Sequence, residues 1–244
     1  MKRLTFLFKT SIGKKFIAAI TGLVLFGFLV GHVAGNLKVF TGAAENGVPH
    51  IDEYGQFLKE VGKPILPYMV GLWIARSVLL VSLVLHLTVV IQLAMVSQEA
   101  RPVGYLRSRK TAASLPAQWM MYSGLLILGF IVFHILHFTT GTIPMGKFEH
   151  GKIFNNLESS FSRTPVAAGY VLMMIVLGFH LYHGVWSLFQ TLGLDNPDRN
   201  AALRIFAVIS TAALSIGFAM VPVAFILGLM PDPFDYVQHL ITKS

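Results

Sequence analysis

The sequence contains no cysteine and is poor in charged residues. Without thiols, the chain cannot form disulfides, thiolate zinc sites, cysteine-ligated iron–sulfur clusters or a nucleophilic cysteine. Charged side chains make up 12% of the 244 residues, about half the share found in soluble domains. Because 55% of the residues are hydrophobic, the composition excludes a soluble globular surface and predicts an integral membrane protein.

Five apolar segments are long enough to cross the hydrocarbon core of a bilayer, which takes about 20 helical residues. The spans are predicted at about 16–40, 67–95, 116–140, 165–192 and 203–229. Pro67, Pro116 and Pro165 fall at predicted helix starts, where a missing N–H is tolerated. Pro222 lies inside the fifth span and is expected to kink it. The first span is too long for the apolar part of a signal peptide, so we expect it to be retained. The sequence thus predicts an all-α membrane protein with one transmembrane domain over residues 1–244.

Basic residues are distributed unevenly between the segments that connect these spans. The N-terminus and the loops at 96–115 and 193–204 hold eleven Lys and Arg residues against three acidic residues. The segments on the other side hold seven Lys and Arg residues against eight acidic ones. Cytoplasmic loops are enriched in Lys and Arg, so we expect the N-terminus in the cytoplasm and the C-terminus outside. The net charge of +8 is then mainly a topology signal.

Six histidines lie inside the predicted spans, where ionisable residues are costly and mark functional sites. They are His32, His86, His134, His137, His180 and His183. One such histidine is equally well explained as a polar side chain bonded between helices, but six on four consecutive helices are harder to explain in this way. At a rise of 1.5 Å per residue, His32 and His134 lie about 25–27 Å from the cytoplasmic helix ends. His86 and His180 lie about 14–18 Å from those ends.

These four histidines form an outer and an inner pair, each drawn from two different helices. Such pairs suit a bundle of the first four helices that holds two haems, with one imidazole on either side of each iron. A haem with six ligands transfers electrons and does not bind oxygen.

A local repeat favours His134 over His137 as the outer ligand on the third span. Thr21-Gly22 precedes His32 with ten residues from Gly to His, and Ser123-Gly124 precedes His134 at the same spacing. His137 is then expected to bond a haem propionate or to line a quinone pocket.

Three runs of sequence resemble one known family. They are SIGKKFIAAITGLVLFGFLVGHVAGNL in the first span, SGLLILGFIVFH in the third and HLYHGVWSLFQTLG in the fourth. In order and spacing they are similar to the cytochrome b subunits of succinate dehydrogenase and fumarate reductase, of the bacterial b558-type with one subunit, five helices and two haems. The resemblance implies that His86 and His180 hold the inner haem. It likewise implies that His32 and His134 hold the outer one, and it leaves His183 as a spare.

The resemblance also implies the partners and the place of action. A flavoprotein with covalent FAD would carry the dicarboxylate chemistry, and an iron–sulfur subunit would connect it to this chain on the cytoplasmic side of a bacterial cytoplasmic membrane. The basic loop at 101–110 is a candidate docking surface or simply a topology-setting loop. The chain itself would be the electron-transfer and quinone-reacting subunit. Whether the complex oxidises succinate or reduces fumarate stays open.

The expected electron acceptor or donor is a quinone, generally menaquinone in the di-haem members of this family. Glu60, ahead of the second span, is a candidate proton-handling carboxylate beside the quinone, or a solvated loop acid. Arg76 in the second span is a candidate partner of a propionate or a quinone oxygen, or it extends to the membrane surface.

Two other functions are compatible with intramembrane histidines. The first is a di-haem cytochrome b of another quinone-linked oxidoreductase, but the five-helix nitrate reductase type takes its ligands from only two helices. The second is a histidine-lined metal or proton transporter, which would favour carboxylates near the middle of the membrane. No Asp or Glu lies well inside any predicted span.

Overall fold

The structure, a computed structural model, describes residues 8–99 and 115–230 of the chain. Within these ranges every regular element is helical. The five long helices are α1 (Ser11–Asn36), α3 (Val70–Glu99), α4 (Leu115–His134), α6 (Thr164–Thr191) and α7 (Asn200–Ile226). Each is long and apolar enough to cross a membrane, which confirms the predicted all-helical fold with five spans. The basic loop at 101–110 lies outside the described residues.

The first helix begins earlier than predicted. The Thr10 side chain accepts a hydrogen bond from the Gly13 N–H at 3.1 Å and so satisfies one of the N–H groups that a helix start leaves without a partner. The helix therefore starts at Ser11 instead of 16. It ends at Asn36 and tightens into a 3-10 helix over Leu37–Thr41.

The prolines noted in the sequence fall in different places. Pro116 and Pro165 lie in the first turns of α4 and α6, as predicted. Pro67 instead lies in a turn before α3, where its carbonyl accepts a hydrogen bond from the Val70 N–H at 3.1 Å. Pro222 is buried within α7, and the helix continues to Ile226.

Two short helices that were not predicted close one end of the bundle. α2 (His50–Glu60) follows α1, and α5 (Ile153–Phe161) follows α4. α5 packs against α2, α6 and α7, and α2 packs against the 3-10 helix and α3. We call this end of the bundle the capped end and the opposite end, where α1 begins and α6 ends, the open end.

The densest apolar packing lies at the capped end. One buried cluster joins the 3-10 helix, α2, α5, α6 and α7, and its members are Val39, Ile51, Phe154, Phe161, Ala167, Tyr170, Val221 and Phe225. Along the rest of the spans many large apolar side chains are exposed, as helices that face lipid require. In the described part of the chain, the buried apolar cluster therefore lies at the capped end.

Asp52 connects the two short helices of the capped end. Its carboxylate accepts a hydrogen bond from the Phe154 N–H at 2.9 Å, in the first turn of α5, where N–H groups have no partner within the helix. Burial raises the pKa of the Asp52 carboxyl, against the opposing effects of the Phe154 and Ile153 N–H groups and of Lys152. The side chain is 7% exposed, so this contact is an internal one.

Replacing Asp52 by Asn is expected to change the pH dependence of stability. The raised pKa means that the folded state binds the proton more tightly than the unfolded state, so the wild-type protein loses stability as the pH rises through the folded-state pKa. Asn can accept the same hydrogen bond without a charge. The thermal midpoint of Asp52→Asn in detergent, relative to wild type, should therefore be higher at pH 7 than at pH 4.

A second substitution at this position separates charge from hydrogen bonding. Asp52→Leu leaves the Phe154 N–H without its partner and should destabilise the protein at both pH values, by on the order of 1–3 kcal/mol. Identical pH profiles for wild type and Asp52→Asn would show that the Asp52 charge does not affect stability.

Candidate functional site

The intramembrane histidines lie at two levels along the bundle. At the first level, His86 on α3 faces Gly22 of α1, and His180 on α6 faces Gly124 of α4. A Cβ atom built on either glycine would lie 3.4 Å from Cε1 of the facing imidazole, so each ring sits directly against a neighbouring helix.

The proton of His86 is placed by its contacts with α1. Its Nδ1 lies 3.1 Å from the Ala18 carbonyl and 3.2 Å from the Thr21 hydroxyl oxygen. The Thr21 hydroxyl donates its own proton to the Ile17 carbonyl at 2.7 Å, so His86 Nδ1–H is the donor to both acceptors. The neutral ring then keeps a lone pair on Nε2, the form that binds metals.

His180 is held in the same way by α4. Its Nδ1 lies 3.1 Å from the Ser123 hydroxyl oxygen, and that hydroxyl lies 3.1 Å from the Met120 carbonyl, to which it donates. When that hydroxyl donates to the carbonyl, the proton of His180 is on Nδ1 and Nε2 is left with a lone pair. Both histidines of the first level are thus held through Nδ1 by the adjacent helix.

The second level lies closer to the capped end. His32 is eleven residues beyond Thr21 on α1, and His134 is eleven beyond Ser123 on α4, which is about 16 Å along each helix. The two imidazole centroids are 5.9 Å apart, with ring planes at 83°. The fifth spanning helix also contributes here, because the Phe218 ring of α7 lies 5.6 Å from the His32 ring. The sequence predicted a site within the first four helices and gave no indication of Phe218.

The two halves of the bundle repeat the same arrangement. Residues 21–32 read TGLVLFGFLVGH and residues 123–134 read SGLLILGFIVFH. In each copy a Phe four residues before the histidine packs against it, with centroids 5.2 Å apart for Phe28–His32 and 5.8 Å for Phe130–His134. In the sequence, this repeat distinguishes only His134 from His137 as the outer ligand. The hydroxyl at the start of each copy also holds the histidine of the next spanning helix, a role that sequence spacing could not reveal.

The paired histidines and the space around them fit a haem. Metal–nitrogen distances of about 2 Å on both sides put two imidazole centroids about 6 Å apart, and the His32–His134 separation is 5.9 Å. In the described part of the chain, neither α1 and α4 nor α3 and α6 are among the closely packed helix pairs. Gly27 and Gly129 occupy equal places in the two copies, and a Cβ on either would meet nothing within 4 Å. A flat macrocycle between the helices is compatible with each of these features.

The four residues assigned less specific binding roles lie in different surroundings. Arg76 is exposed on α3, with its guanidinium 5.0 Å from the centre of the Trp73 ring. Glu60 ends α2 and forms a surface ion pair with Lys63 at 2.8 Å. Neither contact involves a histidine.

His137 and His183 also differ from each other. His137 is 1% exposed, with Nδ1 at 2.9 Å from the Tyr170 hydroxyl and Nε2 at 3.0 Å from the Ser160 hydroxyl. With both nitrogens engaged, His137 has none left for a metal. His183 is half-buried, one turn from His180 on α6. Within residues 8–99 and 115–230, no three His, Asp or Glu side chains converge on a metal position.

Removing the two hydroxyl groups is expected to have unequal effects. Thr21→Val leaves His86 Nδ1 with the Ala18 carbonyl, whereas Ser123→Ala removes the only partner that the described residues give to His180 Nδ1. Ser123→Ala should lower stability by on the order of 1 kcal/mol and Thr21→Val by less, measured by thermal unfolding in detergent. Ser210→Ala, which removes a hydroxyl bonded only within its own helix, is the matched control. Equal losses in all three variants would contradict the assigned hydrogen bonds.

Comparison with known proteins does not identify the chain. No family model matches the sequence, and neither a curated protein nor a solved structure shows significant similarity to it. What the chain does must therefore be inferred from the residues and the geometry described above.

Proposed function

We propose that this chain is the membrane-anchor cytochrome b subunit of a succinate:quinone oxidoreductase, which relays electrons between an iron–sulfur subunit and a quinone through two b-type haems. The observation that carries the proposal is the arrangement of four intramembrane histidines as two pairs at two levels, each pair drawn from both halves of the bundle. The motif resemblance adds the succinate-linked family. A chain without cysteine leaves iron–sulfur clusters to a partner.

His86 and His180 would be the axial ligands of the inner haem, and His32 and His134 those of the outer haem. When bound, a haem with two histidine ligands supplies a one-electron carrier without an open iron position. The residues of this chain orient the ligands. Thr21 and Ser123 keep the protons of the inner pair on Nδ1, and the spanning helices keep water away from both levels.

The loop charges support an orientation with the open end in the cytoplasm. In that orientation the flavoprotein with covalent FAD and the iron–sulfur subunit dock beside the inner histidine pair, and the capped end faces outward. The chain would lie in a bacterial cytoplasmic membrane and would take no part in the dicarboxylate chemistry. Menaquinone is the proposed quinone, with Glu60 its proposed carboxylate at the capped end.

Three further residues have less specific roles in the proposal. Arg76, His137 and His183 are kept as residues of the haem or quinone surroundings, and none of them as an iron ligand. Another quinone-linked di-haem cytochrome b is the nearest alternative, but its five-helix nitrate reductase type takes its ligands from two helices. Here the four ligands would come from four helices.

The first test is the number of haems per chain and the residues that hold them. The protein expressed in membranes should give a b-type reduced-minus-oxidised spectrum and two haems per chain by pyridine haemochrome assay. His86→Ala and His134→Ala should each lose one haem, and different ones, because they remove ligands at different levels. His50→Ala should keep both, because His50 bonds the Thr41 carbonyl at the capped end. A wild-type chain without haem would contradict the proposal and favour a histidine-lined transporter.

The second test identifies the electron donor. In membranes of the source cell, succinate should reduce the b haems, and formate or hydrogen should not. A tagged chain should copurify with a covalent flavoprotein and an iron–sulfur protein. Haem reduction by formate or hydrogen instead of succinate would assign the chain to the alternative class of di-haem cytochromes b.

A further inference from the structure

His137 and Tyr170 form a buried polar network beside the outer histidine pair. His137 lies in a five-residue π-helical stretch, Ile135–Thr139, that directly follows His134. Its ring connects the Ser160 hydroxyl of α5 to the Tyr170 hydroxyl of α6, at 3.0 and 2.9 Å. Buried polar groups in a membrane need partners, and here the partners come from three successive elements.

The Tyr170 hydroxyl lies between two imidazoles. Besides His137, it reaches His134 Nδ1 at 3.5 Å, a long hydrogen-bond distance. The Tyr170 ring is 6% exposed and is fixed by aromatic neighbours, which are Phe130, Phe133, Phe138 and Phe161. Its oxygen therefore has a defined position relative to His134.

The protons in this network can be ordered in two ways. A phenol has one proton and a neutral imidazole has one N–H. In the first order, Tyr170 donates to His137 Nδ1, His137 donates from Nε2 to Ser160, and the Tyr170 oxygen accepts from His134 Nδ1–H. His134 then keeps its Nε2 lone pair. In the second order, Tyr170 donates to His134 Nδ1, and the proton of His134 moves to Nε2, where it blocks metal binding.

We propose that His137 is a positioning residue, which accepts the Tyr170 proton and so makes the Tyr170 oxygen an acceptor for His134 Nδ1–H. The inference rests on the proposed function, because it treats His134 as an iron ligand. It gives His137 a role other than bonding a haem propionate or lining a quinone pocket. The first level achieves the same result with Thr21 and Ser123, whose protons go to carbonyls of their own helices.

The test is the midpoint potential of each haem in Tyr170→Phe. An acceptor on Nδ1–H makes the imidazole a more basic ligand, which stabilises oxidised iron. Losing the Tyr170 oxygen should therefore raise the potential of the outer haem and leave the inner one unchanged. The outer haem is identified as the component that His134→Ala loses. Phe keeps the ring packing, so the fold is preserved.

Variants of His137 separate a positioning role from simple packing. His137→Leu should raise the outer potential as Tyr170→Phe does, and the double variant should shift it no further, because His137 acts only through Tyr170. His137→Gln, which can accept from Tyr170 and donate to Ser160, should restore most of the wild-type value. Ser210→Ala is the control without effect on either potential.

The possible results distinguish a failure of the His137 role from a failure of the proposed function. Unchanged outer potentials in Tyr170→Phe, or additive shifts in the double variant, would overturn the positioning role of His137 while two haems remain bound. Absence of haem from the wild-type chain would instead overturn the proposed function itself. A shift of both potentials in Tyr170→Phe would show a general disturbance of the bundle and would also contradict the inference.

Discussion

A neutral imidazole has one nitrogen that donates a hydrogen bond and one that accepts. Inside a bilayer neither nitrogen can form its hydrogen bond with water. The rest of this structure depends on how that requirement is met. At the first level, carbonyl and hydroxyl oxygens of a neighbouring helix accept from Nδ1–H of His86 and His180. On both rings Nε2 then carries a lone pair and lies among apolar helices. A histidine with one nitrogen engaged has the other nitrogen free to accept, whereas His137 has both nitrogens engaged.

The bundle consists of two similar halves. α1 packs closely with α3, and α4 packs closely with α6. Within each half, the Thr or Ser of the first helix positions the histidine of the second. The histidines of each level come from different halves, and at the second level the His32 and His134 rings lie 5.9 Å apart. A cofactor held at either level would therefore join the two halves, and we expect the bundle to gain stability when the cofactor binds.

The capped end holds the ends of the spanning helices together. The apolar cluster and the Asp52–Phe154 hydrogen bond hold α2 and α5 against the ends of the spanning helices. Tyr170 belongs to that cluster and at the same time contacts His134. The packing at the capped end thus includes a residue that contacts the second-level pair, whereas the first-level histidines bond to hydroxyl groups within the spans.

The sequence by itself determined the number of spans, their order and the six histidines within them, because hydrophobic length and intramembrane polarity are local properties. It also contained the repeat at 21–32 and 123–134. The tertiary structure decided the contacts between residues on different helices, which spacing along one helix cannot predict. It decided that Thr21 and Ser123 serve histidines on other helices, that Phe218 of α7 joins the outer level, and that His137 is engaged at both nitrogens. It also decided the two short helices, since their amphipathic faces are stabilised by packing against each other and against the helix ends they cover. Hydrogen bonds and ring contacts between helices depend on how the helices are rotated and staggered, and that is set by packing across the whole bundle.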